Sequence, residues 1–334
     1  MMYSEETRKI FYGQTRVSEC ASPLKEILID LLNHPGKFLR GRFLLLCASL
    51  RQNQACARQR IYSLAAGAEV LHLATLIHDD LLDRGELRRG YPTVWKRWGD
   101  KPAVLVGDYL FATAYRIFHE NAMPRGMTLV NSLIKEMVEA QMEEDALRFA
   151  PDGLAPYLLR IEKKTARFFQ TVCLLGGEAG FLPRKVTELC GSFGREFGMA
   201  YQILDDITDL VEDPRSSGKT CFRDWQNGIA TLPLLLLNDR EIMMKILRKA
   251  AETAELTPEF KMDLFPVLTG HNIPGKVWLI YHSYLQNARK MLREVEQALK
   301  GEPGVLRNIA ELDCLVKKLL SKGRRAINMM KVEG

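Results

Sequence analysis

The chain has no Cys-x-x-Cys pair, no glycine-rich phosphate loop, no long basic run, and no alternating polar and apolar stretch bounded by hairpin turns. Each absence removes a class of protein. Seven cysteines are scattered (Cys20, Cys47, Cys56, Cys173, Cys190, Cys221 and Cys314), so neither a zinc site nor a disulfide framework is indicated and they read as reduced thiols. No Ser-His-Asp or Cys-His arrangement points to a covalent nucleophile. A formal charge of +6, from 47 basic and 41 acidic residues, suits an anionic substrate but lacks the tracts of a nucleic-acid binder. The first thirty residues contain no apolar leader core, and no later apolar run reaches the roughly 18–20 residues of a membrane span. The sequence therefore predicts a cytoplasmic protein with no transmembrane segment.

What is present is 47% hydrophobic residues, enough for a large core, recurring at three- and four-residue intervals. That period predicts an all-α protein. Most of the fourteen prolines fall between periodic segments, where helices start or stop, implying ten or more helices. Segments 57–83, 101–121, 126–149, 154–180 and 184–212 are long enough to form one large bundle with a site in its interior. No low-complexity linker divides the chain, so a single all-helical domain over 1–334 is expected.

Two helix ends resemble each other: His78-Asp79-Asp80-Leu81-Leu82-Asp83 and Leu204-Asp205-Asp206-Ile207-Thr208-Asp209. On a helix, Asp79, Asp80 and Asp83 cover about one turn of one face, and Asp205, Asp206 and Asp209 do the same. Carboxylates this close repel, and they sit badly at the negative end of the helix dipole. A divalent cation would relieve both costs, and Mg²⁺ commonly bridges one or two carboxylates to substrate phosphates. The bland alternative is a pair of solvated helix ends. Identical spacing, apolar lead-ins (Leu71 to Ile77 and Phe197 to Leu204) and nearby basic residues favour the metal reading, and the pattern is not that of an EF-hand.

The basic residues lie in four places. Arg88 and Arg89 follow the first triplet directly, on a turn-rich loop, and guanidinium groups grip phosphate in bidentate fashion. Lys37 and Arg40 stand one helical turn apart near a helix start. Lys163 and Lys164 precede Thr165, and Lys219 comes after the second triplet. His72, two turns before Asp79, is either a core histidine or a phosphate donor. Singly these are ordinary surface residues, but jointly they suggest two diphosphate substrates.

These motifs resemble the trans-isoprenyl diphosphate synthase (polyprenyl synthetase) family over about residues 36–233. Asp79 to Thr93 match its first aspartate-rich motif and the Arg-Arg-Gly-x-Pro-Thr stretch without a gap. Lys37 and Arg40, His72, Gly107 to Leu110, and Lys164 to Ala166 match further motifs; Gln202 with Asp205, Asp206 and Asp209 resembles the second aspartate-rich motif. Lys219, Asp224, Gly228 and Thr231 to Pro233 match the downstream pattern, whereas Phe38, Gly41 and Ile229 depart from what many bacterial members carry.

The resemblance implies an isoprenoid synthase-like bundle around a central cavity, three Mg²⁺ ions held by the two triplets, and a homodimer. It implies that the ions, assisted by Arg88, Lys164 and Lys219, hold an allylic diphosphate, and that Lys37, Arg40, His72 and Arg89 hold isopentenyl diphosphate. Thr165 and Gln202 would present oxygen dipoles to the allylic cation.

In the family, the residues one turn or more before the first triplet set product length. Here these are Ala74 and Thr75, with Leu71 a turn deeper. Small residues at this place imply a medium- or long-chain product. Other readings are a farnesyl or geranylgeranyl synthase, a terpene cyclase or head-to-head condensing enzyme, and a non-catalytic subunit of a heteromeric synthase. Two complete triplets and the Arg88-Arg89 pair speak against the last two.

Overall fold

The structure, a computed structural model, describes residues 9–34, 36–51, 57–211, 222–253 and 258–331. Helices of eight residues or more are α1 Leu24–Asn33, α2 Leu39–Ala48, α3 Arg58–Leu82, α4 Asp100–Asn121, α5 Pro124–Ala146 and α6 Leu154–Ile161. They continue with α7 Arg167–Ala179, α8 Arg184–Val211, α9 Arg240–Ala251, α10 Pro258–Gly270, α11 Ile273–Ala298 and α12 Val305–Met329. The protein is all-α, and α3 to α8 coincide with the five long periodic segments. Prolines 102, 124, 156 and 274 sit in first helical turns, where a missing N–H costs nothing. Pro266 is the exception, inside α10.

Packing divides the chain into two compact units, residues 1–131, 171–191 and 293–312 in the first and residues 132–170, 192–292 and 313–334 in the second. In the first, α3 is the core helix: every residue from Ile61 to Leu71 is buried. A helix that is apolar nearly all round belongs in an interior. By length and composition α3 would also span a membrane, contrary to the expectation that no apolar run is long enough; 78% of its apolar window is instead buried in the protein. Cys47, Cys173 and Cys190 are buried in this unit, where the Cys47 thiol is pushed well up by its hydrogen bond with Cys173 and by burial. All five described cysteines are free; Cys56 and Cys221 lie outside the described residues.

After α3, Leu87–Arg88 pairs antiparallel with Tyr91–Pro92, a hairpin too short to show alternation in the sequence. Its two-residue loop has φ of 55° at Arg89 and 83° at Gly90, the positive values that match the twist of paired strands.

In the second unit, α6 runs into a π turn over Glu162–Ala166 before α7 begins. Phe169, Phe197, Tyr201 and Phe193 stack in its core, with ring centroids 5.3–6.2 Å apart.

Candidate active site

In the first unit, the first aspartate triplet lies at the C-terminus of α3. Leu82 ends the helix and Arg84, at φ 52°, turns the chain. The amides of Arg84 and Gly85 then bond back to the carbonyls of Leu81 (3.3 Å) and Asp80 (2.8 Å), a Schellman closure with arginine where glycine is usual. This leaves Asp79, Asp80 and Asp83 half-buried at the helix end. Asp80 binds Arg88 in a fork, Oδ2 to Nε and Oδ1 to Nη2, both at 2.7 Å. The hairpin thus delivers its arginine onto the triplet.

Arg88 and Arg89 act on His72 together with Arg40. Burial lowers the His72 pKa first, and the charges of Arg40, Arg88 and Arg89 lower it further, so the imidazole is neutral. One cluster therefore holds four of the residues expected to grip anions. A Cβ at Gly36 would lie 3.0 Å from Arg89 Nη2, which places that guanidinium against the backbone preceding Lys37. Lys37 itself is exposed.

Glu69 carries no sequence motif. Its Oε1 accepts the Gly41 amide at 2.7 Å, at the N-terminus of α2, and the Arg40 amide also bonds to it. Burial pushes its carboxyl up, opposed by these amides and by Arg40 and Arg89. The only sequence signal is one acid within the buried apolar run Ile61–Leu71 of α3, three residues before His72. Two departures from the family pattern acquire reasons here. Proline at position 41 would have no N–H for Glu69, and even a Cβ there would lie 3.0 Å from the Ala65 carbonyl. Phe38 is buried edge-on against Phe11 at 5.5 Å, so it anchors the segment instead of adding charge.

His78 adds a constraint on the Gly-Asp-Tyr-Leu segment. Its Nε2 lies 3.2 Å from the Val104 carbonyl, and a Cβ at Gly107 would be 2.0 Å from that nitrogen. Glycine here is the space His78 occupies. Of the chain-length positions, Leu71 and Ala74 have no exposed surface, while Thr75 is half-buried and bonds the His72 carbonyl at 2.8 Å.

The second aspartate triplet belongs to the second unit. Asp206 is buried and accepts from the Tyr157 hydroxyl on Oδ2 and from Gln202 Nε2 on Oδ1 at 2.8 Å. Because that carboxylate accepts, the Gln202 amide orientation is fixed: its oxygen faces Thr165 Oγ1, which donates at 2.6 Å. The Gln202 oxygen is thus engaged, and Thr165 keeps oxygen lone pairs to offer. The π turn carries Lys164 and Thr165, and Lys164 binds Glu144 at 2.5 Å. π turns recur at functional sites.

Asp205 is exposed and Asp209 half-buried, and the Asp224 amide lies 3.4 Å from Asp209 Oδ2. Burial, with neighbouring carboxylates adding to it, pushes Asp206 up to about 7 and Asp209 to about 6. Burial pushes Asp224 well up, and Asp209 and Asp206 add to it. Tyr157 and Glu144 give no sequence signal, since each meets its partner only through the fold. Lys219 lies outside the described residues.

Crowded carboxylates with oxygen donors alone fit a hard divalent cation. Among the described residues no three His, Cys, Asp or Glu side chains converge into a ready cage.

Residues 21–261 match the family model for polyprenyl synthetase. Component 2 of the heptaprenyl diphosphate synthase of Geobacillus stearothermophilus is 35% identical over 69% of this chain and 72% of its own length. The geranylgeranyl diphosphate synthase of Sulfolobus acidocaldarius is 33% identical over 86% of this chain and 89% of its own. Two further matches span 60% and 65% of the relatives' lengths. The crystal structure of the heptaprenyl diphosphate synthase from Staphylococcus aureus superposes with a TM-score of 0.82 at 24% identity, covering 96% of this chain and 98% of that one. With motifs, fold and relatives in agreement, the chain belongs to the polyprenyl synthetase family, prenyltransferases that elongate isoprenoid diphosphates and bind them through divalent metal.

Proposed function

We propose that this chain is an Mg²⁺-dependent all-trans polyprenyl diphosphate synthase, condensing an allylic diphosphate head-to-tail with isopentenyl diphosphate to a medium- or long-chain product. The observation that carries the reading is the gathering of Arg40, His72, Arg88 and Arg89 beside the first complete triplet. Lys37, Arg40, His72 and Arg89 hold isopentenyl diphosphate, with neutral His72 as hydrogen-bond donor. Arg88, Lys164 and Lys219 assist in holding the allylic diphosphate, and Asp79, Asp80, Asp83, Asp205, Asp206 and Asp209 would hold its ions, three with substrate bound. Mg²⁺ supplies charge that stabilises the departing diphosphate.

The allylic carbon–oxygen bond breaks with its electron pair going to the diphosphate, where the arginine and lysine charges lower the cost of the developing anion. Thr165, held by Gln202, turns oxygen lone pairs toward the carbocation. The isopentenyl double bond attacks, and the released diphosphate takes the final proton. Thr75, with Leu71 and Ala74 packed beside it on α3, limits the tail.

The whole of 1–334 acts as one cytoplasmic catalytic domain in a homodimer. Val104, Leu105 and Tyr115, 43%, 65% and 46% exposed on one stripe of α4, support a second copy there. The name of the Geobacillus relative, component 2 of a heptaprenyl diphosphate synthase, supports a heteromeric partner as the second reading. Purified protein given farnesyl diphosphate, labelled isopentenyl diphosphate and Mg²⁺ should yield elongated product, with its length read by mass. Absence of elongation would overturn the catalytic reading and favour the partner-dependent one.

A further inference from the structure

The charge of this chain is nearly balanced overall, with 47 basic and 41 acidic residues, but not in its last two helices. Residues 314–331 carry Lys317, Lys318, Lys322, Arg324, Arg325 and Lys331 and no acid. All six are exposed. Residues 273–292 add Lys276, Arg289 and Lys290, again with no acid.

These two stretches, both in the second unit, lie side by side and antiparallel. Arg289 bonds Asp313 at 2.9 Å, the Tyr281 hydroxyl bonds the Leu319 carbonyl at 2.6 Å, and Arg324 lies 5.8 Å from the Trp278 ring centre. Between α11 and α12 run two adjoining grooves, of about 220 and 310 Å³, which share Trp278 and Arg324. Pro274, Ile327 and Leu320 supply apolar lining, and Trp278 stacks on His282 at 5.1 Å.

We infer that this face docks the protein on a bilayer containing anionic phospholipid. Lysine and arginine side chains are drawn to an anionic leaflet, and a half-exposed tryptophan prefers the interface, where its ring is apolar and its N–H wet. Like charge opposes a second copy of this face as the occupant. The cations alone would also attract a nucleic-acid backbone, but the apolar lining from Pro274, Leu320 and Ile327 suits acyl chains at headgroup depth. The choice of a bilayer over an acidic polypeptide rests on the proposed function, since a long polyprenyl product leaves water only into a membrane.

The test is co-sedimentation of the substrate-free protein with phosphatidylcholine vesicles, with and without 30% phosphatidylglycerol, at two salt concentrations. Binding is expected only to the anionic vesicles and should weaken with salt. The triple variant Lys322→Gln, Arg324→Gln, Lys331→Gln should bind on the order of 100-fold more weakly, at about fivefold per cation. Trp278→Ala should weaken binding while leaving its salt dependence in place. Equal sedimentation with neutral vesicles, or unchanged binding by the triple variant at an unchanged melting temperature, would overturn the inference. So would tighter binding to single-stranded RNA than to anionic vesicles at the same salt concentration. Binding without any elongation would refute the synthase reading and leave the docking face standing.

Discussion

The Glu69 carboxylate accepts the Gly41 amide at 2.7 Å, so an acid from α3 closes the first turn of α2. The bond fixes Arg40, the neighbouring residue, relative to His72. Replacing Glu69 by Gln keeps an acceptor but removes the charge that Arg40 and Arg89 face. A several-fold rise in KM for isopentenyl diphosphate is expected, with kcat little changed. Gly41→Pro removes the donor and should cost about 1–3 kcal/mol in urea unfolding.

Asp79→Ala and Asp205→Ala should each lower turnover by at least about a hundredfold with the fold intact. Near-normal rates in either variant, with helicity unchanged by circular dichroism, would refute the metal assignment. Tyr157→Phe is subtler. It removes one of the two donors that orient Asp206, so the half-saturating Mg²⁺ concentration should rise several-fold while KM for isopentenyl diphosphate stays put.

Thr75→Phe should shorten the product, as mass analysis would report. Ala74→Phe is a poorer probe, because Ala74 has no exposed surface and a ring there must displace packed neighbours, at roughly 1–3 kcal/mol. If Thr75→Phe leaves product length unchanged, the floor lies elsewhere.

Glu162, the first residue of the π turn, bonds Arg195, which with Arg167 holds its carboxyl below the usual 4.5 despite partial burial. A lowered folded-state pKa contributes stability that is present above the unfolded value and lost as pH falls through the folded one. Stability from this pair should therefore decline below about pH 4.5. Glu162→Gln should flatten that part of the pH dependence in denaturant titrations, and an unchanged slope would count against the pair.

The helices and the two triplets were legible because each is local: a period of three and four, and carboxylates at fixed spacing on one face. Arg88 was legible for the same reason, eight residues from Asp80 on a short hairpin. The features that sequence did not disclose depend on meetings between helices. Glu144 reaches Lys164 across twenty residues and Tyr157 reaches Asp206 across forty-nine, with no pattern linking either pair. Gly107 matched a motif, yet its cause is the imidazole of His78, twenty-nine residues earlier. Lone acids in apolar runs, Glu69 above all, are the signal to read more closely.

The π turn over Glu162–Ala166 makes residue count, as well as residue type, a guarded quantity in this segment. An α turn holds 3.6 residues, and the wider turn stores one more, so deleting a residue closes the bulge to an α turn and redirects the side chains it carried. Losing one residue there would swing Lys164 and Thr165 out of register with Phe168 and Phe169, which are locked in the core. Among natural variants, this stretch should keep its length as well as Lys164 and Thr165.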